Sequence, residues 1–259
     1  MRLAYKIAMA CQKGGVGKTT SSVVLSEILA ASGYKVLLID LDSQGNATKM
    51  MTQRSIYDFS GKTILEAMKA EDARGYAVQT KENLSIIPAE DMLATFSRYL
   101  YTNKISKPLH ILKQTMESIE DGYDFIIMDA PPNLGEAVLN AIVYADGIVV
   151  PAQMEPFGMD GLDRFIEFVN EAKEAGHTNC ELLGILLTMK DSRTAISKAV
   201  SQNVRSRYGD KVFDTEIRLR ARVKEFSLEG VQFDTKADMD ALEDYIEATK
   251  EVVSRVKKR

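Results

Sequence analysis

Cysteine, histidine and long apolar runs are scarce in this sequence, and each scarcity argues against a class of protein. Among 259 residues there are only two cysteines, Cys11 and Cys180, and two histidines, His110 and His177. Their spacing matches no metal site, so we expect reduced, buried cysteines rather than a disulfide scaffold or a zinc centre. No apolar run approaches the roughly 18 residues that a membrane span needs. Too few residues precede the first apolar stretch for a signal peptide, so we expect a cytoplasmic protein.

The N-terminal region carries a glycine-rich pattern in the context that phosphate binding requires. Residues 5–10 predict a buried strand, and residues 21–30 have apolar positions at helical spacing. Between them stands Lys13-Gly14-Gly15-Val16-Gly17-Lys18-Thr19-Thr20, the predicted nucleotide-binding run. Glycines let backbone N–H groups surround an anion, and a helix N-terminus adds partial positive charge. We expect Lys18 to reach the β- and γ-phosphates and Thr19 to hold Mg²⁺.

Lys13 is not part of the standard P-loop pattern, which has glycine where this chain has Gln12. A second lysine places another positive charge beside phosphates that Lys18 already serves. We therefore expect one of the two lysines to face the phosphates of a nucleotide bound to a neighbouring subunit, and both Lys13 and Lys18 to neutralise charge in catalysis. The alternative, a glycine-rich surface loop with two solvated lysines, fits the flanking strand and helix poorly.

A pair of carboxylates follows the second predicted strand. Residues 35–40 form an apolar run that leads into Asp40-Leu41-Asp42-Ser43-Gln44-Gly45-Asn46-Ala47-Thr48. Open α/β sheets bind ligands at the carboxyl ends of their strands. We expect Asp42 to orient the attacking water and contact the metal, and Asp40 to hydrogen-bond the metal's water shell or the P-loop. A plain polar turn is the alternative for this loop.

A third acidic position ends another apolar strand. Residues 123–129 end in Asp129 and are followed by Pro131-Pro132. A buried strand that lifts a carboxylate beside a P-loop is the Walker-B arrangement, so Asp129 is predicted to face the metal.

The alternation of strands and helices predicts an α/β fold of the P-loop NTPase type. We expect a predominantly parallel central sheet with helices on both faces, in a single domain spanning residues 1–259. Residues 50–83 are less regular, and residues 218–229 have no clear form. The remaining predicted strands are 84–88, 147–151, 182–188 and 212–217, and the remaining predicted helices are 63–68, 92–101, 108–119, 136–144, 157–175, 194–208 and 238–258.

Charge is unevenly distributed along the chain. The protein has a net charge of −4, yet residues 190–224 carry +6 and the remaining residues carry −10. A basic region on an acidic body favours an anionic partner for that region.

The three motifs, in this order, resemble the ParA/Soj/MinD family of deviant Walker ATPases over nearly the whole chain. The resemblance implies an ATP-dependent sandwich dimer with Mg²⁺, in which the lysine that matches Lys13 reaches the partner's nucleotide. Gln12 and the loop of residues 40–48 are similar to the DNA-partition branch, ParA. Because the P-loop begins so early, we expect no additional N-terminal helix-turn-helix domain and hence no specific operator binding.

The ParA branch binds double-stranded DNA without sequence preference through basic residues of its C-terminal half. Arg193 matches one such arginine and Arg222 a second, although the family's Ile-Pro-Arg pattern is here Ile217-Arg218-Leu219. Basic side chains on phosphates give salt-sensitive, sequence-independent affinity. The predicted DNA-binding residues are Lys190, Arg193, Arg218, Arg220, Arg222 and Lys224.

The leading functional hypothesis is therefore a partition ATPase that associates with the nucleoid. A ParB-like centromere-binding protein would stimulate its slow ATP hydrolysis and its release from DNA. The main alternative is a MinD-like membrane-associated positioning ATPase, because residues 246–259 are basic and partly amphipathic. A last helix that packs on the core explains this segment more simply, so we expect no stable membrane association. An ATP-dependent ligase on the same fold is a third class, which the basic region disfavours.

Overall fold

The computed structural model describes residues 4–155, 158–191 and 194–258. Within them eight strands form one sheet in the order β3-β4-β2-β5-β1-β6-β7-β8, parallel throughout except for the β3–β4 pair at one edge. This confirms the predicted α/β class with a predominantly parallel sheet. The strands are β1 Tyr5–Met9, β2 Val36–Asp40, β3 Val78–Lys81, β4 Leu84–Ile87, β5 Phe125–Asp129, β6 Gly147–Gln153, β7 Glu181–Lys190 and β8 Val212–Arg218.

Helices cover both faces of the sheet. One face packs against α1, α2, α9 and α10, and the other against α3 to α8. The helices are α1 Lys18–Ala31, α2 Asn46–Thr52, α3 Ile64–Ala70, α4 Phe96–Thr102, α5 Ile111–Met116, α6 Glu136–Tyr144, α7 Gly158–Glu174, α8 Ala195–Tyr208, α9 Ala221–Glu229 and α10 Lys236–Lys257.

β2 and β5 are buried along their whole length, which explains their continuous apolar sequences. Successive side chains of β2 point to opposite faces, with Leu37 in one core and Leu38 in the other. β5 lies between β1 and β2, and Asp129 is in register with both Met9 and Asp40. The segments that follow β1, β2 and β5 therefore meet at one edge of the sheet.

Four predictions of local structure were incomplete. The short strand β3 was missed, because its residues alternate between half-buried and exposed at a sheet edge and form no apolar run. α2 begins at Asn46, inside the loop predicted after β2. The helix predicted over residues 108–119 is only α5, which begins after His110. Residues 218–229, whose sequence predicts no clear form, contain α9.

The last helix blocks the outer edge of β8. Glu251 accepts hydrogen bonds from the backbone N–H groups of Asp214 and Thr215, at 3.0–3.3 Å. Asp244 accepts from the backbone N–H of Arg218 at 3.0 Å. Carboxylates of α10 thus occupy positions that the backbone of another strand would otherwise take.

The same helix is packed into the core. Val252 is buried, while Ile246, Val253 and Val256 pack partly against the same apolar cluster. Arg255 donates to the backbone carbonyls of Leu183 and Val212. The prediction of a core-packing last helix is confirmed, and no helix among the described residues has the length and apolarity to cross a bilayer.

Candidate nucleotide site

The glycine-rich loop has a shape that ordinary residues would strain. Gly15 and Gly17 have φ values of 76° and 78°, in the left-handed region that glycine tolerates best. Gly17 directly precedes the first turn of α1. The carbonyl of Val16 accepts a hydrogen bond from the Thr188 hydroxyl at 2.8 Å, which ties the loop to β7. The loop is thus held in place by the fold itself, with a helix N-terminus behind it.

Lys18 and Asp129 form a buried charged pair beside this loop. The Lys18 Nζ lies 4.0 Å from the Asp129 Oδ1, and both side chains are almost fully buried. Burial raises the pKa of Asp129, whereas Lys18 and the hydroxyls of Thr19 and Ser22 oppose that shift. The Asp129 Oδ2 is buried and has no hydrogen-bond partner among the described residues.

This unpaired oxygen is the observation that fits a metal ion. Buried polar atoms without a partner are rare, and carboxylate oxygens suit Mg²⁺. Within the described chain no cluster of three or more acidic, histidine or cysteine side chains forms a protein-only metal site. That is consistent with Mg²⁺, which keeps several water and phosphate ligands and uses few from the protein. Thr19 and Asp129 are the residues here that would hold it.

Asp40 lies at the same edge of the sheet, and it accepts hydrogen bonds from the loop that follows β2. Its oxygens accept from the backbone N–H of Asp42 at 3.1 Å, and from the backbone N–H and hydroxyl of Thr48 at 2.8 and 2.7 Å. The Thr48 hydroxyl accepts in turn from the backbone N–H of Ala89. Burial and the neighbouring Asp129 raise the pKa of Asp40 to about 7. Asp40 thus fastens residues 40–48 to the sheet, and its expected contact with the metal's water shell or the P-loop stays a prediction.

Asp42 lies at the start of that loop and is largely buried. Its Oδ1 accepts from the backbone N–H of Gln44 at 3.0 Å. It is close enough to Asp129 to raise the pKa of that carboxyl. Asp42 and Asp129 are thus brought together, as predicted from their motifs, while a catalytic or metal role for Asp42 stays a prediction.

Lys13 differs from Lys18 in two ways: its side chain is exposed, and it pairs with a different carboxylate. Its Nζ lies 2.9 Å from the Glu155 Oε2, and the two side chains are 39% and 52% exposed. Glu155 also accepts from the side-chain amide of Gln153 at the end of β6. Lys13 therefore lies at the surface beside the loop, and it must leave Glu155 before it can reach a nucleotide in another subunit.

Several predicted DNA-binding residues line a cleft next to the P-loop. A cavity of about 70 Å³ is bounded by Gly17 and Thr20 on one side and by the β8–α9 connection on the other. A more open cavity of about 600 Å³ continues from it toward Lys190. Both cavities are lined by Arg218, Arg220 and Lys224. These side chains are thus near enough to the loop to respond to what it binds.

The same basic residues are mostly paired with carboxylates. Most of the partners come after residue 224, outside the segment whose charge was counted from the sequence. Lys224 forms no ion pair among the described residues, and Arg193 lies outside them. The pairs are Lys190–Glu216, Arg218–Asp244, Arg220–Glu243 and Arg222–Asp238, with N–O distances of 2.6, 2.5, 3.6 and 2.7 Å. DNA binding by the six residues stays a prediction. It is based on a positive charge that nearby carboxylates largely neutralise in the folded chain.

Sequence reasoning missed three residues of this site, Thr188, Glu155 and Ser22. Thr188 and Glu155 contact the loop from more than a hundred positions away along the chain. Ser22 lies one helical turn after Lys18, which was the one available signal that it shares the face of α1 that Lys18 presents to Asp129.

Named proteins with similar sequences align with nearly the whole chain. A protein-family model described as an AAA domain matches residues 4–183. The sporulation initiation inhibitor protein Soj of Bacillus subtilis is 35% identical, with 96% of this chain and 98% of that protein covered. The chain belongs to the ParA/Soj/MinD family of ATPases. The chromosome partitioning protein ParA of Caulobacter vibrioides is also 34% identical, with 98% and 95% covered.

Solved structures extend the ParA/Soj/MinD assignment to the fold and its ligands. Apo McdA from Cyanothece has a TM-score of 0.85 at 25% identity, covering 96% of this chain and 99% of that one. The cobyrinic acid a,c-diamide synthase of Mycobacterium smegmatis, solved with ADP and magnesium, has a TM-score of 0.84 at 28% identity, covering 98% and 96%. The predicted P-loop fold is thereby confirmed, and membership of this ATPase family confirms the predicted ATPase activity with ATP and Mg²⁺ as cofactors.

Proposed function

We propose that this ATPase separates DNA copies: ATP joins two subunits into a sandwich dimer, and the dimer binds double-stranded DNA without sequence preference. A ParB-like centromere-binding protein then stimulates hydrolysis and release. The observation that carries the proposal is the position of Lys13, which is exposed beside its own loop rather than buried with Lys18. The partition function named for the curated relatives supports it.

Each residue of the site has a distinct proposed role. Lys18 binds the terminal phosphates of its own subunit's ATP, and Lys13 reaches the ATP of the second subunit, where both offset charge that develops during in-line attack. Asp42 holds the attacking water. Thr19 and Asp129 hold the hydrated Mg²⁺, which when bound neutralises phosphate charge. The run from Gly14 to Gly17, with Thr20, surrounds the phosphates with backbone N–H groups.

The proposed DNA surface adjoins this site. The open cleft beside the P-loop is lined by Lys190, Arg218, Arg220 and Lys224. Binding of a nucleotide next to these side chains would change which of them are available to phosphates of DNA. In this proposal residues 1–259 form a single domain, which associates with the nucleoid when ATP is bound.

DNA binding in three nucleotide states tests the proposal. The protein is titrated onto duplexes of unrelated sequence with ATP, with ADP and without nucleotide, at low salt and at rising salt. We expect affinity only with ATP, similar for all duplexes, and falling steeply with salt. Lys13→Ala, which should bind ATP as a monomer, is the control that should lose DNA binding together with dimerisation. An ATP-loaded dimer that ignores DNA at low salt would exclude the partition function.

The membrane-associated alternative requires residues 246–259 to lie on a bilayer. Their apolar side chains already contact the core through Val252 and its neighbours. Flotation with vesicles of anionic lipid, in the presence of ATP, separates the two functions. Recovery of the protein with the vesicles would favour the MinD-like alternative.

A further inference from the structure

The hydroxyl of Ser22 connects the P-loop helix to the carboxylate at the end of β5. Ser22 lies on α1 one turn after Lys18 and is fully buried. Its Oγ is 2.9 Å from the Asp129 Oδ1 and 3.0 Å from the backbone carbonyl of Lys18. Its single proton can serve only one of these acceptors fully.

The carboxylate is the stronger of the two acceptors. A serine inside a helix commonly donates to the carbonyl four residues earlier, and Ser26 does this, to the Ser22 carbonyl at 2.7 Å. Ser22 differs because an acidic oxygen also lies within reach. A hydrogen bond to an ionised acceptor is roughly twice as strong as one between neutral groups. The Ser22 proton is therefore assigned to Asp129.

This bond makes the two oxygens of Asp129 unequal. Oδ1 faces Ser22 and lies 4.0 Å from the Lys18 Nζ, while Oδ2 has no partner among the described residues. Thr19 and Lys18 also act on this carboxylate from α1. Thr19 is itself proposed to hold the metal, and the Lys18 Nζ lies 4.0 Å from Oδ1, so the Ser22 hydroxyl at 2.9 Å is the group of α1 that holds Oδ1 directly. A carboxylate that turned both oxygens toward Lys18 would have neither aimed at a metal ion.

We propose that Ser22 is a positioning residue, which fixes Asp129 so that Oδ2 faces the hydrated Mg²⁺ of the bound nucleotide. The inference rests on the metal-facing role proposed above for Asp129. Groups that orient a metal-facing side chain commonly change metal affinity by about 10- to 100-fold when removed. Ser22 would set how tightly the site holds Mg²⁺, and leave the phosphate contacts of Lys18 in place.

The test measures metal affinity without turnover. Fluorescent mant-ADP is bound to the full chain, and Mg²⁺ is titrated to obtain its apparent Kd. Ser22→Ala should raise that Kd by about 10-fold and leave the affinity for metal-free mant-ADP unchanged. Ser26→Ala is the matched control, because Ser26 is equally buried on the same helix and donates only to a backbone carbonyl. Ser22→Thr, which keeps the hydroxyl, should restore most of the Mg²⁺ affinity.

Asp129→Asn separates this inference from the function on which it rests. If Asp129→Asn loses the Mg²⁺ response but Ser22→Ala matches Ser26→Ala, only the positioning role of Ser22 is wrong. If Asp129→Asn keeps the response, the metal-facing role of Asp129 is wrong and the inference falls with it. Melting curves without nucleotide show whether the variants are folded, and equal weakening in Ser22→Ala and Ser26→Ala would also overturn the positioning role.

Discussion

Charged side chains have different surroundings in two regions of the molecule: the nucleotide edge, where the segments that follow β1, β2 and β5 meet, and the basic region of residues 190–224. At the nucleotide edge Lys18 and Asp129 are 7% and 0% exposed, and one carboxylate oxygen has no partner among the described residues. In the basic region Lys190 and Arg218 are 39% and 40% exposed, and each faces a carboxylate at short range. The nucleotide edge has fewer charged side chains than the basic region, yet it is there that a buried carboxylate oxygen lacks a partner among the described residues.

The difference has a simple energetic basis. An ion pair between two exposed side chains contributes about 0–1 kcal/mol. In the pairs of Lys190 and Arg218 only the basic partner is exposed and the carboxylate is largely buried, so each carboxylate has its partner within the fold. A buried polar atom without a partner is costly, and it persists where a ligand completes it. A count of charges along the sequence cannot distinguish these cases, because it records neither burial nor pairing.

Of the substitutions that test this difference between the two regions, removal of Lys18 should have the largest effect, and the effect should be on ATP binding. We expect Lys18→Ala to weaken ATP binding by at least about 100-fold, because the charged hydrogen bonds to the terminal phosphates are lost. Fluorescent-nucleotide titration measures the affinity. Lys35→Ala, which removes an exposed lysine immediately before β2, should change it by less than about twofold. Nearly normal binding by Lys18→Ala would place the phosphates elsewhere.

Asp42→Ala should separate binding from chemistry. We expect ATP binding and dimer formation to persist while hydrolysis falls by about 100-fold or more, since the group that orients the water is gone. Phosphate release gives the rate, and light scattering gives the size of the ATP-bound species. Ordinary turnover in this variant would remove Asp42 from the mechanism.

The buried Asp40 should make the stability of the nucleotide-free protein depend on pH. Its pKa is raised to about 7, while an unfolded aspartate titrates near pH 4. Between about pH 4 and 7 the folded chain holds a proton that the unfolded chain has lost, so stability falls as the pH rises through that window and is then level.

Denaturant unfolding of the wild type and of Asp40→Asn checks this expectation. The asparagine does not titrate, so its altered contacts with Thr48 add a cost that does not depend on pH. The wild-type free energy of unfolding minus that of the variant should fall most steeply, by up to about 1.4 kcal/mol per pH unit, between about pH 5 and pH 6, and should flatten above about pH 7. A difference that stays constant from about pH 5 to pH 8 would contradict the buried, protonated Asp40.

The smallest effects should appear in the basic region and should divide Lys224 from Arg222. Lys224 has no ion pair among the described residues, so Lys224→Ala should weaken DNA binding a few-fold and reduce the salt slope by about 1. Arg222 is bound to Asp238, Glu225 and Glu229. Arg222→Ala should mainly lower the melting temperature, because it removes a partner of the buried Asp238, the N3 residue of the capping box that begins α10. Loss of DNA binding in Arg222→Ala at an unchanged melting temperature would show that this guanidinium leaves its carboxylates to bind phosphate.

Much of the nucleotide edge could be predicted from the sequence, because its residues follow directly from strand ends. Lys18 and Asp129 stand at fixed distances from β1 and β5, and parallel strands bring their carboxyl ends to one edge. The contact of Lys13 with Glu155 could not be predicted, since it joins positions 142 residues apart through loops whose path depends on packing.

The basic region shows the same limit more clearly. Most of its carboxylates belong to α9 and α10, and only the packing of α10 against β8 brings Asp244 to Arg218. Local pattern likewise gave no sign of α2 or of the polar edge strand β3, whose structure depends on neighbours rather than on its own apolar periodicity.

The carboxylates of α10 also bear on how safely many copies of this ATPase can accumulate on one surface. A terminal strand with free backbone donors can recruit a strand from a neighbouring molecule and start an open-ended fibre. Glu251 and Asp244 occupy the donors of Asp214, Thr215 and Arg218, so crowded molecules present negative charge there in place of a template. Reversible assembly controlled by nucleotide is compatible with high local concentration only if such irreversible joining is prevented, and the last helix provides that safeguard at this end of the sheet.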